Sequence, residues 1–255
     1  MYKLTKFILE DLLRNWIIHL FSLFLLLAII GLVSLEGQED KALVSILNLV
    51  LLAVPMMVMV FSTIYYYNMS DFITLILAQP VKRGQVLGSL VLGLGVVFSI
   101  AVGLGLGFAL WWLKGSVAAW TLLAVGMVMI WVFVALAVLA GVLTKDKTRG
   151  MGLSLLIWGY FVLIFDGIIL LLMYNFSEYP IEKGVLFITF FNPVDLGRIL
   201  VLMKTEAAAL MGYSGAVFSH FFASGWSSII ALSILGLWAL FPIMISSKLF
   251  RHKDL

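Results

Sequence analysis

Six long apolar runs, separated by short polar breaks, fill most of the chain. A helix needs roughly 20 apolar residues to cross a hydrocarbon core of ~30 Å, and each run supplies them. The pattern predicts spans at about 16–35, 43–67, 86–113, 117–143, 151–174 and 226–247. Ahead of the first span, Leu4, Phe7, Ile8, Leu12, Leu13 and Trp16 recur at helical spacing. Lys3, Lys6, Glu10, Asp11 and Arg14 take the other side. Residues 2–16 are therefore expected to form an amphipathic helix in the membrane interface, with Trp16 at headgroup level. Pro55 predicts a kink in the second span. Only Lys114-Gly115-Ser116 separates the third and fourth, which predicts a tight antiparallel hairpin.

Two of the breaks carry more than a connection. Between the second and third spans, Asn68, Ser70 and Asp71 give a helix-start signal, followed by the apolar stretch from Phe72 to Leu77. Ala78-Gln79-Pro80 then stops it before the cationic pair Lys82-Arg83. A short helical element over 70–85 is expected at the membrane surface. Between the fifth and sixth spans lie residues 175–225, with no seventh span. Within them Asn192-Pro193-Val194-Asp195 offers an Asn N-cap, Pro at the first helical position and an acid at the third. Leu196, Leu200, Met203, Ala207 and Leu210 then share one stripe, with Arg198, Thr205 and Glu206 off it. A central Lys or Arg costs roughly 2.5–3.5 kcal/mol to insert. Arg198, Lys204 and Glu206 therefore predict a helical segment on or above the outer surface.

The composition agrees with the runs, at 64% hydrophobic and 11% charged residues. Soluble domains are about half apolar and about a quarter charged. The placement of charge matters more than its net value of +3. With both termini inside, Lys3, Lys6, Arg14, Lys82, Arg83, Lys145, Lys147, Arg149, Lys248, Arg251 and Lys253 are cytosolic. Lys41, Lys114, Lys183, Arg198 and Lys204 are outside, so the positive-inside rule sets the 70–85 element in the cytosol. The first run is too long for a signal peptide and lacks a small-x-small cleavage site, so it is expected to remain as a span.

The candidate chemistry is sparse. No GxxxxGK[ST] motif occurs, so the chain has no P-loop of its own, and any use of ATP falls to a partner. There is no cysteine, which removes thiolate metal sites and Cys nucleophiles. Gly212-Tyr213-Ser214-Gly215 matches the short GxSG pattern of intramembrane serine proteases, with His220 nearby as a base. Four residues with two glycines match readily by chance, and a helix break is the better use. Twelve methionines suggest thioether ligation of Cu(I), with Met203, Met211 and His220 in the outer segment. Met at helical spacing is more often packing, so no metal residue is assigned. Asp166 is the one acid well within a span, expected to bond a group on another span and set a resting conformation. Gly103 with Gly107 and Gly84 with Gly88 form GxxxG pairs that predict close helix approach.

The order of these parts resembles the permeases of ABC-2 type ABC transporters over the whole chain. That order is an amphipathic lead-in, six spans, a PVKRGQ element after the second and a large outer segment after the fifth. The stretch FFNPVDLGRILVLMKTEAAALMGYSGAVF is similar to the corresponding part of NosY-type permeases, from the system that matures the copper centres of nitrous-oxide reductase. The resemblance implies an all-α membrane domain, paired as a homodimer of the type V exporter kind and embedded in the bacterial inner membrane. It makes 70–85 a coupling helix, with Asp71, Phe72, Leu75, Gln79, Pro80, Lys82 and Arg83 against an ABC ATPase present in two copies. It also implies a periplasmic β-helical, NosD-like protein seated on the outer segment at Asn192, Pro193, Asp195, Arg198, Met203, Met211 and Tyr213. A NosL-like lipoprotein chaperone would deliver copper. On this reading the chain is no enzyme and binds neither cofactor nor nucleic acid; ATP and Mg sit in the ATPase, and copper is handled by partners. The alternatives are an ABC-2 exporter of a lipid or drug-like molecule and, less favoured, the intramembrane protease.

Overall fold

The computed structural model describes residues 2–176, 179, 182–205 and 225–252. Helix α1 (Tyr2–Leu13) precedes α2 (Trp16–Glu36), α3 (Glu39–Asn68) and the short α4 (Ser70–Leu77). Helices α5 (Arg83–Trp112) and α6 (Val117–Leu143) form the hairpin expected from the three-residue break. The fifth span runs as α7 (Lys147–Gly159), a π-helical turn (Tyr160–Ile164) and α8 (Phe165–Asn175). Helices α9 (Glu182–Thr189) and α10 (Pro193–Leu202) follow, and α11 (Gly225–His252) closes the described chain. Six helices among the described residues are long and apolar enough to cross a membrane.

Several boundaries differ from the sequence reading for local reasons. The second span starts at Glu39 rather than near Leu43, because Glu39 and Asp40 suit the positive first turn of a helix. Of the 70–85 element only Ser70–Leu77 is helical; Pro80 keeps the chain open until α5 begins at Arg83. Helix α3 continues through Pro55. The fifth span contains a register break that its apolar pattern does not announce: Phe165 N–H bonds back five residues to Tyr160 O.

The core sits where α3, α5 and α6 meet, around Val58, Met59, Phe98, Val125, Phe133 and Val134, all fully buried. Glycines make the close contacts, and one member of a GxxxG pair is among them: a Cβ on Gly103 would lie 3.1 Å from Met127 Cε. A Cβ on Gly95 would press into the Trp131 ring, and one on Gly105 would meet Leu25 and Ile29. Gly107 faces open space. On α1, Ile8 and Leu12 are buried and sit over Gly93 of α5, while Phe7 and Leu13 of the same stripe are exposed. The helix ends at Leu13, and Asn15 caps α2 ahead of Trp16, so the expected 2–16 helix is two elements.

The largest difference concerns the outer segment. Helix α10 lies within the bundle rather than on its surface. Gly197 packs against Val125 and Met129 of α6 and reaches Leu51 of α3. At 1.5 Å per residue, Met129 and Leu51 each lie about 18 Å along their helices from the Val117 and Glu39 ends. That is about half the thickness of a bilayer core. Helices α9 and α10 thus form a hairpin that enters the bundle from the end opposite α4.

Candidate functional site

Two polar sites stand out, one at each end of the helices. At the α4 end the chain builds a short platform. Ile73 is buried beneath α4, and Phe72 packs on Phe7 of α1 with ring centroids 5.1 Å apart. Tyr65, at the end of α3, donates a hydrogen bond of 2.9 Å to Asp11 of α1. The outer face of the platform is left to Asp71, Leu75, Gln79, Pro80 and Lys82, all exposed, and Leu75 is 70% exposed despite being apolar. Phe72 is half-buried under α1 and supports this face rather than forming it. Arg83 behaves differently. Its Nη1 donates to the carbonyls of Phe250 and Arg251 at 3.2 and 3.3 Å, which ties the start of α5 to the end of α11. A guanidinium at a helix C-terminus completes carbonyls that have no partner inside the helix.

The base of α4 is held as firmly. Tyr67 hydroxyl bonds the Thr144 hydroxyl and donates to Gly141 O, at the end of α6. Its ring fills the space over Gly150 of α7, where a Cβ would collide. Lys147 Nζ donates to Asn68 Oδ1 at 3.0 Å. Four residues further along each helix, the buried Thr63 and Ser154 hydroxyls lie 2.6 Å apart.

At the other end, the α9–α10 hairpin carries the second site. Asn192 caps α10 as expected, its Oδ1 accepting from Val194 N–H at 2.9 Å. Its Nδ2 donates to Phe161 O in the π turn at 2.8 Å, and to Asp195 Oδ2 at 3.0 Å. Arg198 Nη1 then bridges two carboxylates, Asp166 at 2.7 Å and Asp195 at 3.1 Å. Beside this cluster a cleft of about 440 Å³ opens between α8, α9 and α10, lined mainly by apolar side chains such as Ile169, Val185 and Leu202. Asp166 is bonded to Arg198 of α10, in the hairpin, and not to a group on another span as expected.

The arrangement corrects the expected outer contact. Asn192, Pro193 and Asp195 are buried inside the protein and present no face to a partner; Arg198 and Met203 are only partly exposed. Met211 and Tyr213, with Gly212, Ser214, Gly215 and His220, lie outside the described residues. The sequence argument failed at Arg198 because it charged the full cost of an isolated cation. Two carboxylates within 3.1 Å offset that cost. Tyr67 and Gly150 were missed as a pair. Nothing in either helix's own periodicity joins residues so far apart in the chain.

A membrane bundle with a short helix standing out between its second and third spans has the architecture of an ABC-2 permease. The model of the ABC-2 family transporter proteins matches residues 70–255, and the chain belongs to that family. Permeases of this kind work with a separate ABC ATPase. Among individual proteins, the chain is 28% identical over 223 residues to "Probable ABC transporter permease protein NosY" of Stutzerimonas stutzeri. That match covers 78% of this chain and 80% of the relative. The protein of the same name from Pseudomonas aeruginosa is 28% identical over 191 residues, covering 71% of this chain and 68% of its own length.

Proposed function

We propose that this chain is the permease subunit of a NosY-like transporter. It passes work from an ATPase at the α4 end to a client at the other end, in copper-site assembly of nitrous-oxide reductase. The reading rests on one observation above the others. Helix α4 packs on α1 and follows directly on the end of α3, which is itself bonded to α1 and α7, and the stretch from α4 to the start of α5 turns Asp71, Leu75, Gln79, Pro80 and Lys82 outward. An exposed leucine on such a platform suits a pocket on a partner, because removing its apolar surface from water is favourable. The α4 end holds the larger share of Lys and Arg, so it faces the cytosol with both termini. The similarity to two NosY permeases supports the copper-centre assignment. Two copies of the chain, two ATPase copies, a periplasmic β-helical NosD-like client and a NosL-like copper chaperone complete the proposed assembly. ATP and Mg sit in the ATPase, and copper stays with the client side.

Arg83 is a poor probe of this contact, since its loss would loosen α11. Leu75→Ala with Lys82→Glu tests the contact without touching an internal bond. We expect the pair to abolish binding of the ATPase while the permease still inserts and purifies; full binding and normal ATPase activity would overturn the coupling assignment. A second reading, export of a lipid, draws on an apolar groove of about 480 Å³ between α5, α6 and α11, lined by Val91, Trp131 and Ile243. It requires ATPase stimulation by that lipid with no periplasmic protein present.

A further inference from the structure

Helices α3, α6 and α11 all pack against α10, so several paths join the two polar sites; the fifth span is singled out by bonding the Asn192–Arg198 cluster directly through Phe161 O and Asp166. Along its first half the span is bound to α3. Gly150 seats the Tyr67 ring, Ser154 bonds Thr63, and Trp158 Nε1 donates to Leu52 O at 3.3 Å. Above Gly159 these contacts end and the helix changes register through the π turn, with Phe165 N–H bonded to Tyr160 O. Above that turn the attachments are to the hairpin: Phe161 O receives Asn192, and Asp166 receives Arg198. Phe161, Val162 and Phe165 are buried, with Phe161 against Trp238 of α11, while the other face, Leu163, Ile164, Leu170 and Leu171, is more than half exposed.

We propose that the fifth span is the element that carries motion of α4 to the α9–α10 hairpin, with Tyr67 and Gly150 as its positioning residues and the π turn as its joint. This deepens the coupling reading and depends on it. Tyr67 stands three residues before α4, so any tilt of α4 bears first on the ring that fills the Gly150 notch. A glycine notch transmits such a push well, because close-packed atoms have no slack to absorb it. At the π turn the helix has given up its regular ladder, and such turns recur at functional positions. A movement of α7 there changes the angle of α8 without breaking the span. Asp166 and Phe161 O, just past the joint, then drag the hairpin. The ionic and amide bonds make this pull directional, where apolar contacts alone would slip.

The cysteine-free sequence makes the test direct. One spin-label pair at Ala78, past the end of α4 and outside the residues assigned to the ATPase contact, and Leu143 reports on the α4 end, and one at Leu35 and Tyr174 on the other; all four side chains are exposed. The permease, reconstituted with its ATPase in lipid nanodiscs, is measured by pulsed EPR with Mg-ATP and with Mg-ADP. We expect nucleotide-dependent distance changes at both pairs. In Gly150→Val, which expels the Tyr67 ring, the inner change should persist and the outer one should vanish. Tyr67→Leu, which leaves a hole in place of a clash, should do the same should Gly150→Val fail to insert. An outer change of unaltered size in a folded variant overturns the proposal, as does an inner change in the parent chain without an outer one. No change at either pair sinks the coupling reading itself.

Discussion

Arg198 shows how a single residue makes an embedded hairpin affordable in energy. Its guanidinium lies between Asp166 on α8 and Asp195 on its own helix, so the cation and two carboxyl groups enter the bundle as one bonded group. Removing one partner from a buried charge group costs far more than the group is worth, because the remainder is left uncompensated. Arg198→Leu should therefore destabilise the protein by about 2–3 kcal/mol, toward the low end because the pair is partly exposed. Asp166→Asn keeps a neutral acceptor and should lose about 1 kcal/mol. Thermal unfolding in detergent measures both, and equal losses would refute the bridging role. Asp166 was legible in the sequence as a lone intramembrane acid. Its partner was not, because 32 residues separate the two and only the hairpin's insertion brings them together.

At the scale of elements, the hairpin and the α1 platform make separate predictions. If α10 enters the bundle, a cysteine at Leu196 should stay unreactive toward a membrane-impermeant maleimide in intact spheroplasts. One at Tyr179, which is 65% exposed, should react. Equal labelling would return α10 to the surface. Asn192→Ala should cost about 1–3 kcal/mol, since it leaves Phe161 O without its partner in a buried setting. The platform depends on Ile8 over Gly93, where any side chain would collide. Gly93→Leu should lift α1 from α5 and lower stability by about 1–3 kcal/mol, the usual cost of overpacking, read as a fall in Tm. Most of these elements could be read from the chain: the α1 stripe, the Asn192 cap with Pro193, and the hairpin at Gly115. The π turn could not. Tyr160–Ile164 is as apolar as its neighbours, and the partner that meets it there, Asn192 at Phe161 O, comes from a distant part of the chain.

At the scale of the whole molecule, α3, α5 and α6 form the interior while α2, the fifth span and α11 present wide apolar faces outward. Leu23, Leu27, Leu156, Leu171, Leu240 and Met244 are all exposed there. Lipid or a second copy of the chain covers such faces in a membrane. The ends are sorted by polar bonds. Tyr65 with Asp11, Lys147 with Asn68 and Arg83 with α11 mark one, while Lys114 with Glu39 at 2.7 Å marks the other. The sequence by itself determined that this is a six-span helical membrane protein with a polar-tipped helix between spans two and three, and it pointed to the ABC-2 family. Those features depend on run length, polar breaks and charge placement, which are local and additive along the chain. Tertiary structure alone decided which face of each helix is buried, where the outer hairpin lies and which residues pair across the bundle. A helix that is apolar all round carries no stripe to point its core side. The depth of Arg198 depends on two carboxylates that the chain order keeps apart and only packing brings within reach.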